Sequence, residues 1–311
     1  MKEPFPDSAK LAGRVRTLSR PLDPVPTDMS PRLPPMPGVR AVLFDVYGTL
    51  FISAAGDIDA GQSTDGITAL QEALESMEIQ GQTEEAARVG SELLPQLIRH
   101  EHARRHTEGT KYPEVNLKAV WKSVTDELGQ RNLLRDQISE EEVARLAVEY
   151  ECRVNPVWPM PHLRETLEAL WRHAFLLGIV SNAQFFTPLL FKAFLGEELG
   201  PLGFQPELCA WSWDLLEAKP SKALFREPLR SLRANYGVSP DQVLYVGNDM
   251  LNDILPAQKL GCRTALFAGD KRSLRRREDD QRCTGLRPTA VIQHLAQLME
   301  ILPVSRAHHN N

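Results

Sequence analysis

Residues 41–50, Ala-Val-Leu-Phe-Asp-Val-Tyr-Gly-Thr-Leu, constrain the fold more than any other stretch of the chain. Four apolar residues run into a carboxylate and then a glycine-containing turn. A short apolar run closed by turn residues reads as a buried strand, so Asp45 falls just past the strand's C-terminal end. Ligands of open parallel α/β sheets bind at that edge, and a carboxylate placed there can act as a nucleophile. An aspartate that merely caps the following turn would look the same, and motifs this short recur by chance.

Three later segments weigh against chance. Phe175–Val180 is a second apolar run, ending in Ser181 and Asn182. Lys219 stands just before Pro220, a residue suited to a helix start. Val243–Gly247 is a third run, followed by Asp249 and Asp253. In this order and spacing the four segments resemble the four motifs of the haloacid dehalogenase superfamily of hydrolases, over residues 39–302. The resemblance implies that Asp45 is the nucleophile. It also implies an Mg²⁺ site made by Asp45, the backbone carbonyl of Tyr47 and Asp249, with Asp253 completing the acidic set by orienting a bound water or supporting Lys219. Lys219 would neutralise charge building on Asp45 and the transferring group, and Ser181 and Asn182 would donate hydrogen bonds to the same oxygens.

The rest of the chain is read around these motifs. Strands are expected at 39–44, 175–181, 208–213, 242–247 and 263–267, with helices between them and a last helix over about 289–301. This alternation predicts an α/β fold, a Rossmann-like, mainly parallel five-stranded sheet. Residues 57–157 read as helical: Ile67, Leu70, Leu74 and Met77 share a face, as do Leu117, Val120, Trp121, Val124 and Leu128. Ser139 and Glu142 have capping-box spacing, and Pro95 is expected to kink or restart a helix. By resemblance this block is an inserted all-helical cap, hinged near 54–57 and 157–161, over a core made of 39–56 and 158–302. Residues 1–38, rich in proline, read as a disordered arm or a strap across a second copy in a homodimer, and 303–311 as a tail.

Composition excludes little but bounds the partners. Of the 311 residues, 42% are hydrophobic and 25% charged, ordinary for a globular chain. A formal net charge of −5 gives no general attraction to nucleic acid, and no apolar run approaches a membrane span. Cys152, Cys209, Cys262 and Cys283 lack paired spacing and read as reduced thiols of a cytoplasmic protein without structural zinc. His100, His102, Arg104, Arg105 and His106 are a basic cluster suited to an anionic small-molecule substrate. Lys271, Arg272 and Arg275–Arg277 are balanced by Glu278, Asp279 and Asp280 and read first as a solvated loop.

The first motif departs from the family's phosphatases, which carry a second aspartate where Tyr47 stands. Asp-x-Tyr-Gly-Thr is the form common in its 2-haloacid dehalogenases, whose halide leaves without a proton. Those enzymes, however, carry an arginine about thirty residues past the nucleophile and drop the metal-binding acid. This chain has no Arg or Lys between Phe51 and Ala87, and it keeps Asp249. An unmetallated carboxylate beside Asp45 would repel an anionic substrate. The balance favours a Mg²⁺-dependent phosphatase of a small phosphorylated metabolite, over metal-independent dehalogenation or a weakly reactive phosphometabolite-binding protein.

Overall fold

The computed structural model describes residues 8–54 and 65–302; the expected tail, the hinge beyond residue 54 and the start of the cap lie outside the described residues. The strands are, in chain order, β1 (Ala41–Phe44), β2 (Phe51–Ser53), β3 (Val157–Pro159), β4 (Leu176–Ser181), β5 (Phe204–Trp211), β6 (Val243–Gly247), β7 (Arg263–Phe267) and β8 (Ala290–Ile292). The helices are α1 (Ser8–Leu18), α2 (Asp65–Ser76), α3 (Thr83–Thr107), α4 (Leu117–Gln130), α5 (Glu140–Val154), α6 (Leu163–Arg172), α7 (Thr187–Leu195), α8 (Ser212–Leu215), α9 (Ala223–Tyr236), α10 (Leu255–Lys259) and α11 (Leu298–Ile301).

Six strands form one sheet, β5-β4-β1-β6-β7-β8, parallel at every pairing. Both faces are covered, as parallel sheets require. Ala41 and Leu43 of β1 pack with Tyr245 and with Phe225 and Leu232 of α9; Val42 and Phe44 face the opposite core, with Leu167 of α6 and Phe191 of α7. The five-stranded expectation is corrected by β8. Val291 and Ile292 are β-branched and buried, so they extend the sheet where a helix was expected to begin; the helical part shrinks to a 3₁₀ turn and α11.

The arm is the larger correction. Residues 8–38 are ordered on the same chain. Leu11 and Val15, one turn apart, bury one face of α1 against α5 and α7. Arg14 forms a bidentate pair with the fully buried Glu149 of α5, and the Arg16 guanidinium lies 4.9 Å over the Trp158 ring. Farther on, Arg32 and Val291 exchange backbone hydrogen bonds of 2.8 and 3.0 Å, which covers the open edge of β8. Proline-rich extended backbone suits such an edge because few of its own N–H groups need partners.

Helices α2–α5 lie between β2 and β3, which pair antiparallel, Phe51 with Pro159 through Ser53 with Val157. The two chain crossings are thus joined in a small ribbon. The α4 stripe is buried as expected, and Ser139 and Glu142 form a full capping box on α5. The α2 face is rotated from the expected one: Leu70 and Leu74 are buried with Ala69 and Ala73, while Ile67 is exposed. Helix α3 continues through Pro95 rather than restarting.

Candidate active site

Strand order places the site. From β1 the chain later adds β4 and β5 on one side and β6, β7 and β8 on the other, so the connections diverge at β1. Diverging crossovers leave a crevice beyond the strands' C-terminal ends. Asp45 sits there, its N–H donating to the Val246 carbonyl at 2.9 Å, which continues the β1–β6 pairing by one residue. Gly48 turns the chain back toward β2 with φ of 76°, and a Cβ there would meet the Ser273 side chain at 2.4 Å.

The two Asp45 oxygens are treated unequally. Oδ1 accepts from Ser181 Oγ at 2.9 Å and from Lys219 Nζ at 2.7 Å. Oδ2 takes no hydrogen bond from the described residues, and Asp45 lines a cavity of about 450 Å³. Lys219 Nζ also reaches Asp253 Oδ1 at 2.6 Å, and Tyr245 OH donates to the same oxygen at 3.0 Å. Asp253 Oδ2 accepts from the Asp249 N–H at 2.9 Å. Asp253 is pressed so close to the strand end that a Cβ on Gly247 would lie 2.4 Å from its carboxyl carbon.

These contacts set the charges. Burial alone would lower the Lys219 pKa, but the Asp253 and Asp45 carboxylates outweigh it and hold the lysine up at about 12, so it is a cation at neutral pH. Burial pushes Asp253 up to about 7; Lys219 opposes this, and the charges of Asp45 and Asp249 add to it. Burial, then the charge of Glu151, also pushes the Tyr47 phenol upward, so it stays neutral; its hydroxyl shares a 3.0 Å hydrogen bond with Thr187 Oγ1.

The expected residues therefore converge, with two differences. Asn182 does not donate to Asp45. Its Oδ1 accepts from the Lys219 N–H at 2.7 Å, because the turn after β4 directs its amide at the Lys219 backbone, and so it fixes where the lysine starts. Asp249 is not open to the cavity on both oxygens. It caps the π-helical turn Met250–Ile254, accepting from the Leu251 and Asn252 N–H groups at 2.8 and 3.2 Å. Arg277 holds its other side, with Nη2 to Oδ2 at 2.6 Å and Nε to both oxygens at 3.2 Å.

Arg277 was hidden in the charge-balanced run. Arg276 follows the solvated reading, pairing with exposed Glu278, but Arg275 and Arg277 line the cavity. The signal that could have found them is their position just past β7, at the same sheet edge as Asp45. His102 and His106 of the basic cluster also line it, with Lys111 and Tyr112 from the loop after α3, while Arg104 pairs with Glu101 and Glu108 along the helix. No group of three His, Cys, Asp or Glu side chains among the described residues converges closely enough to grip a metal as it stands, and no described helix is long and apolar enough to cross a membrane.

Residues 39–261 match the model of one family, described as haloacid dehalogenase-like hydrolase. A phosphoglycolate phosphatase of Mannheimia succiniciproducens is 34% identical over 143 residues, 45% of this chain and 54% of that protein, so the match spans about half of the relative's length. A phosphoglycolate phosphatase of Photorhabdus laumondii is 28% identical over 230 residues, 72% of this chain and 78% of that protein. The crystal structure of a 2-haloacid dehalogenase from Pseudomonas syringae superposes with a TM-score of 0.51 at 21% identity, over 85% of this chain and 97% of that one. That likeness is one of fold.

Proposed function

Because the chain belongs to the haloacid dehalogenase-like hydrolases, we propose that it hydrolyses a small phosphate monoester through an aspartyl-phosphate at Asp45. The observation that carries this is the unequal carboxylate. Oδ1 is fixed by Ser181 and Lys219, while Oδ2, on a residue that lines the cavity, has no partner among the described residues. Oδ2 attacks phosphorus, the ester P–O bond breaks, and its electron pair leaves with the alcohol oxygen. Water then attacks phosphorus and breaks the Asp45–phosphorus bond, returning the Asp45 carboxylate and phosphate, and the proton that water loses balances the one that the leaving alkoxide takes from solvent. Lys219 offsets the negative charge that builds on both partners, while Asn182 and Asp253 fix the lysine at its two ends. Histidines, Lys111 and two arginines around the cavity suit an anionic substrate. The two relatives named phosphoglycolate phosphatase support phosphate over halide.

The donor set fits Mg²⁺ on one condition. Oxygen ligands are what the ion takes, and three carboxyl groups, Asp45, Asp249 and Asp253, face one lysine, Lys219, once Arg277 is set aside. Arg277 would have to yield Asp249. Asp45, Asp249 and the Tyr47 carbonyl would then hold the ion, with Asp253 behind them. Bound there, the ion would supply charge neutralisation for the phosphoryl oxygens.

The same pair favours a second reading. With Arg277 neutralising Asp249, the site needs no metal, and Tyr47 supplies no acid, as suits 2-haloacid hydrolysis. One assay separates them: purified protein against aryl phosphates and 2-chloropropionate, with Mg²⁺ and with chelator. Phosphate release that chelator abolishes supports the first reading; halide release indifferent to chelator replaces it with the second.

A further inference from the structure

A second cavity, of about 350 Å³, opens inside the cap, walled by α3, α4 and α5 and by the turn before α7. Its walls are mainly apolar: Leu94 and Ile98 on one side, Leu117 and Trp121 on another, Phe186 at the base. His102 and Glu114 stand in the walls of this cavity and of the catalytic one, so the two are neighbours through a shared partition. Native interiors are packed with few voids larger than a water molecule, and an unfilled apolar space forfeits its lining's contacts. A space this size, next to the nucleophile's cavity, has the form of a subsite.

Among the polar residues of the wall, which include Arg99 and His102, Glu151 offers an open acceptor. Glu151 of α5 faces the apolar space. Its Oε1 accepts from Asn155 Nδ2 at 3.0 Å, and Oε2 takes no hydrogen bond from the described residues. Burial pushes its carboxyl up to about 7, against the pull of Asn155. The amide of Gln184, in the same wall, is already committed, accepting from the Leu117 N–H and donating to the Val115 carbonyl, both at 3.0 Å. Glu151 is half-buried in the cavity wall, and its second oxygen has no donor among the described residues, so a donor carried by whatever fills the cavity would find an acceptor there. We propose that this cavity is the leaving-group subsite, taking an apolar group about the size of an aromatic ring that ends in a hydrogen-bond donor such as a primary amine. The inference rests on the phosphomonoesterase reading and narrows it away from purely anionic leaving groups.

The test compares ethyl phosphate, benzyl phosphate and 4-(aminomethyl)benzyl phosphate on the full chain with Mg²⁺, and measures 4-methylbenzylamine binding by calorimetry. A single added methylene in an apolar pocket already discriminates about 10-fold or more. kcat/KM should therefore rise at least about 10-fold from ethyl to benzyl, and again with the amine. Ala147→Phe, which fills the cavity from α5, should erase the benzyl advantage and the amine's binding. Glu151→Gln, which keeps the shape, should erase only the amine's advantage over plain benzyl. Equal kcat/KM for the three esters, with no calorimetric binding, overturns the subsite. If no ester is turned over but the amine binds and Glu151→Gln weakens it, the phosphomonoesterase reading fails and the subsite stands. Should Ala147→Phe fail to fold, the Glu151→Gln comparison alone decides.

Discussion

On the proposed Mg²⁺ reading, Arg277 and the ion would compete for the Asp249 carboxylate, so replacing the arginine should tighten the metal. In Arg277→Met the apolar side chain keeps much of the length and loses the guanidinium. The pair it removes is short, 2.6 Å at its closest, and Asp249 is nearly buried, with 8% of its side chain exposed against 32% for the arginine. Hydrogen bonds to a charged partner contribute about 1.5–3 kcal/mol net. A guanidinium one-third exposed recovers part of that from water on release, which leaves roughly 1–2 kcal/mol that the ion must overcome. At about 1.4 kcal/mol per decade, Arg277→Met should bind Mg²⁺ about 5–30-fold more tightly. Calorimetric titration of both proteins at low ionic strength measures this directly. Arg277→Lys, which keeps a charge but not the fork, should fall between them, and added salt should narrow the gap. Unchanged or weaker affinity in Arg277→Met would refute the reasoning and make the arginine a support that orients Asp249 for the ion.

Asp45→Asn should lose turnover by about 10³-fold or more with its circular dichroism intact, since an amide does not replace the attacking oxygen; retention of a tenth of the rate on an aryl phosphate would remove Asp45 as nucleophile. Arg14→Met should cost about 1–2 kcal/mol in urea unfolding at pH 7, because Glu149 is fully buried but keeps Arg153. Burial raises the Glu149 pKa, yet Arg14 and Arg153 outweigh it and hold it below the usual range. Its contribution is therefore present above about pH 4.3 and is lost as pH falls through the depressed value, so the gap between native and variant should shrink at low pH; a gap that does not change with pH would mean that α1 packing, not the ion pair, carries it. Because the Tyr47 phenol stays neutral and hydrogen-bonded to Thr187, aryl phosphates should react about 10²–10⁴-fold faster than alkyl ones, the usual worth of the missing acid; a flat dependence on leaving-group acidity, with chemistry rate-limiting, would show that another residue supplies the proton.

The parts of the fold that were legible are those where pattern and burial coincide. β1, β4 and β6 are apolar nearly throughout, and β7 is apolar over Ala265–Phe267, because both sheet faces are covered, and such runs stand out in any sequence. β8 is three residues long, and two β-branched residues are too short a run to separate a strand from the first turn of the helix that was expected there. The arm was misread for a related reason. Proline density suggested a chain that packs nowhere, whereas Leu11, Ala12 and Val15, with the Arg14 pair, seat a helix, and backbone groups cap an edge. Backbone pairing leaves no mark in side-chain periodicity.

The site divides along the same line. Asp45, Ser181 and Asp253 were legible because each ends or follows a strand, where a parallel sheet puts its chemistry; Lys219 was legible from its place between those motifs, although the helix start expected at Pro220 is a turn and α9 begins only at Ala223. Arg277 and Glu151 carry no such mark. Arg277 lies among charges of both signs, and only the return of that loop over β6, with the Met250 N–H donating to the Arg275 carbonyl at 2.9 Å, brings it to Asp249. Glu151 sits in a helix with four other glutamates, two of them exposed. What sets it apart is that its turn of α5 looks into a space lined by α3 and α4. Position along one element can be read from periodicity, but which two elements enclose a carboxylate follows only from how they pack. The residues that would tune this enzyme, as distinct from those that would run its chemistry, are therefore the ones that three-dimensional packing had to disclose.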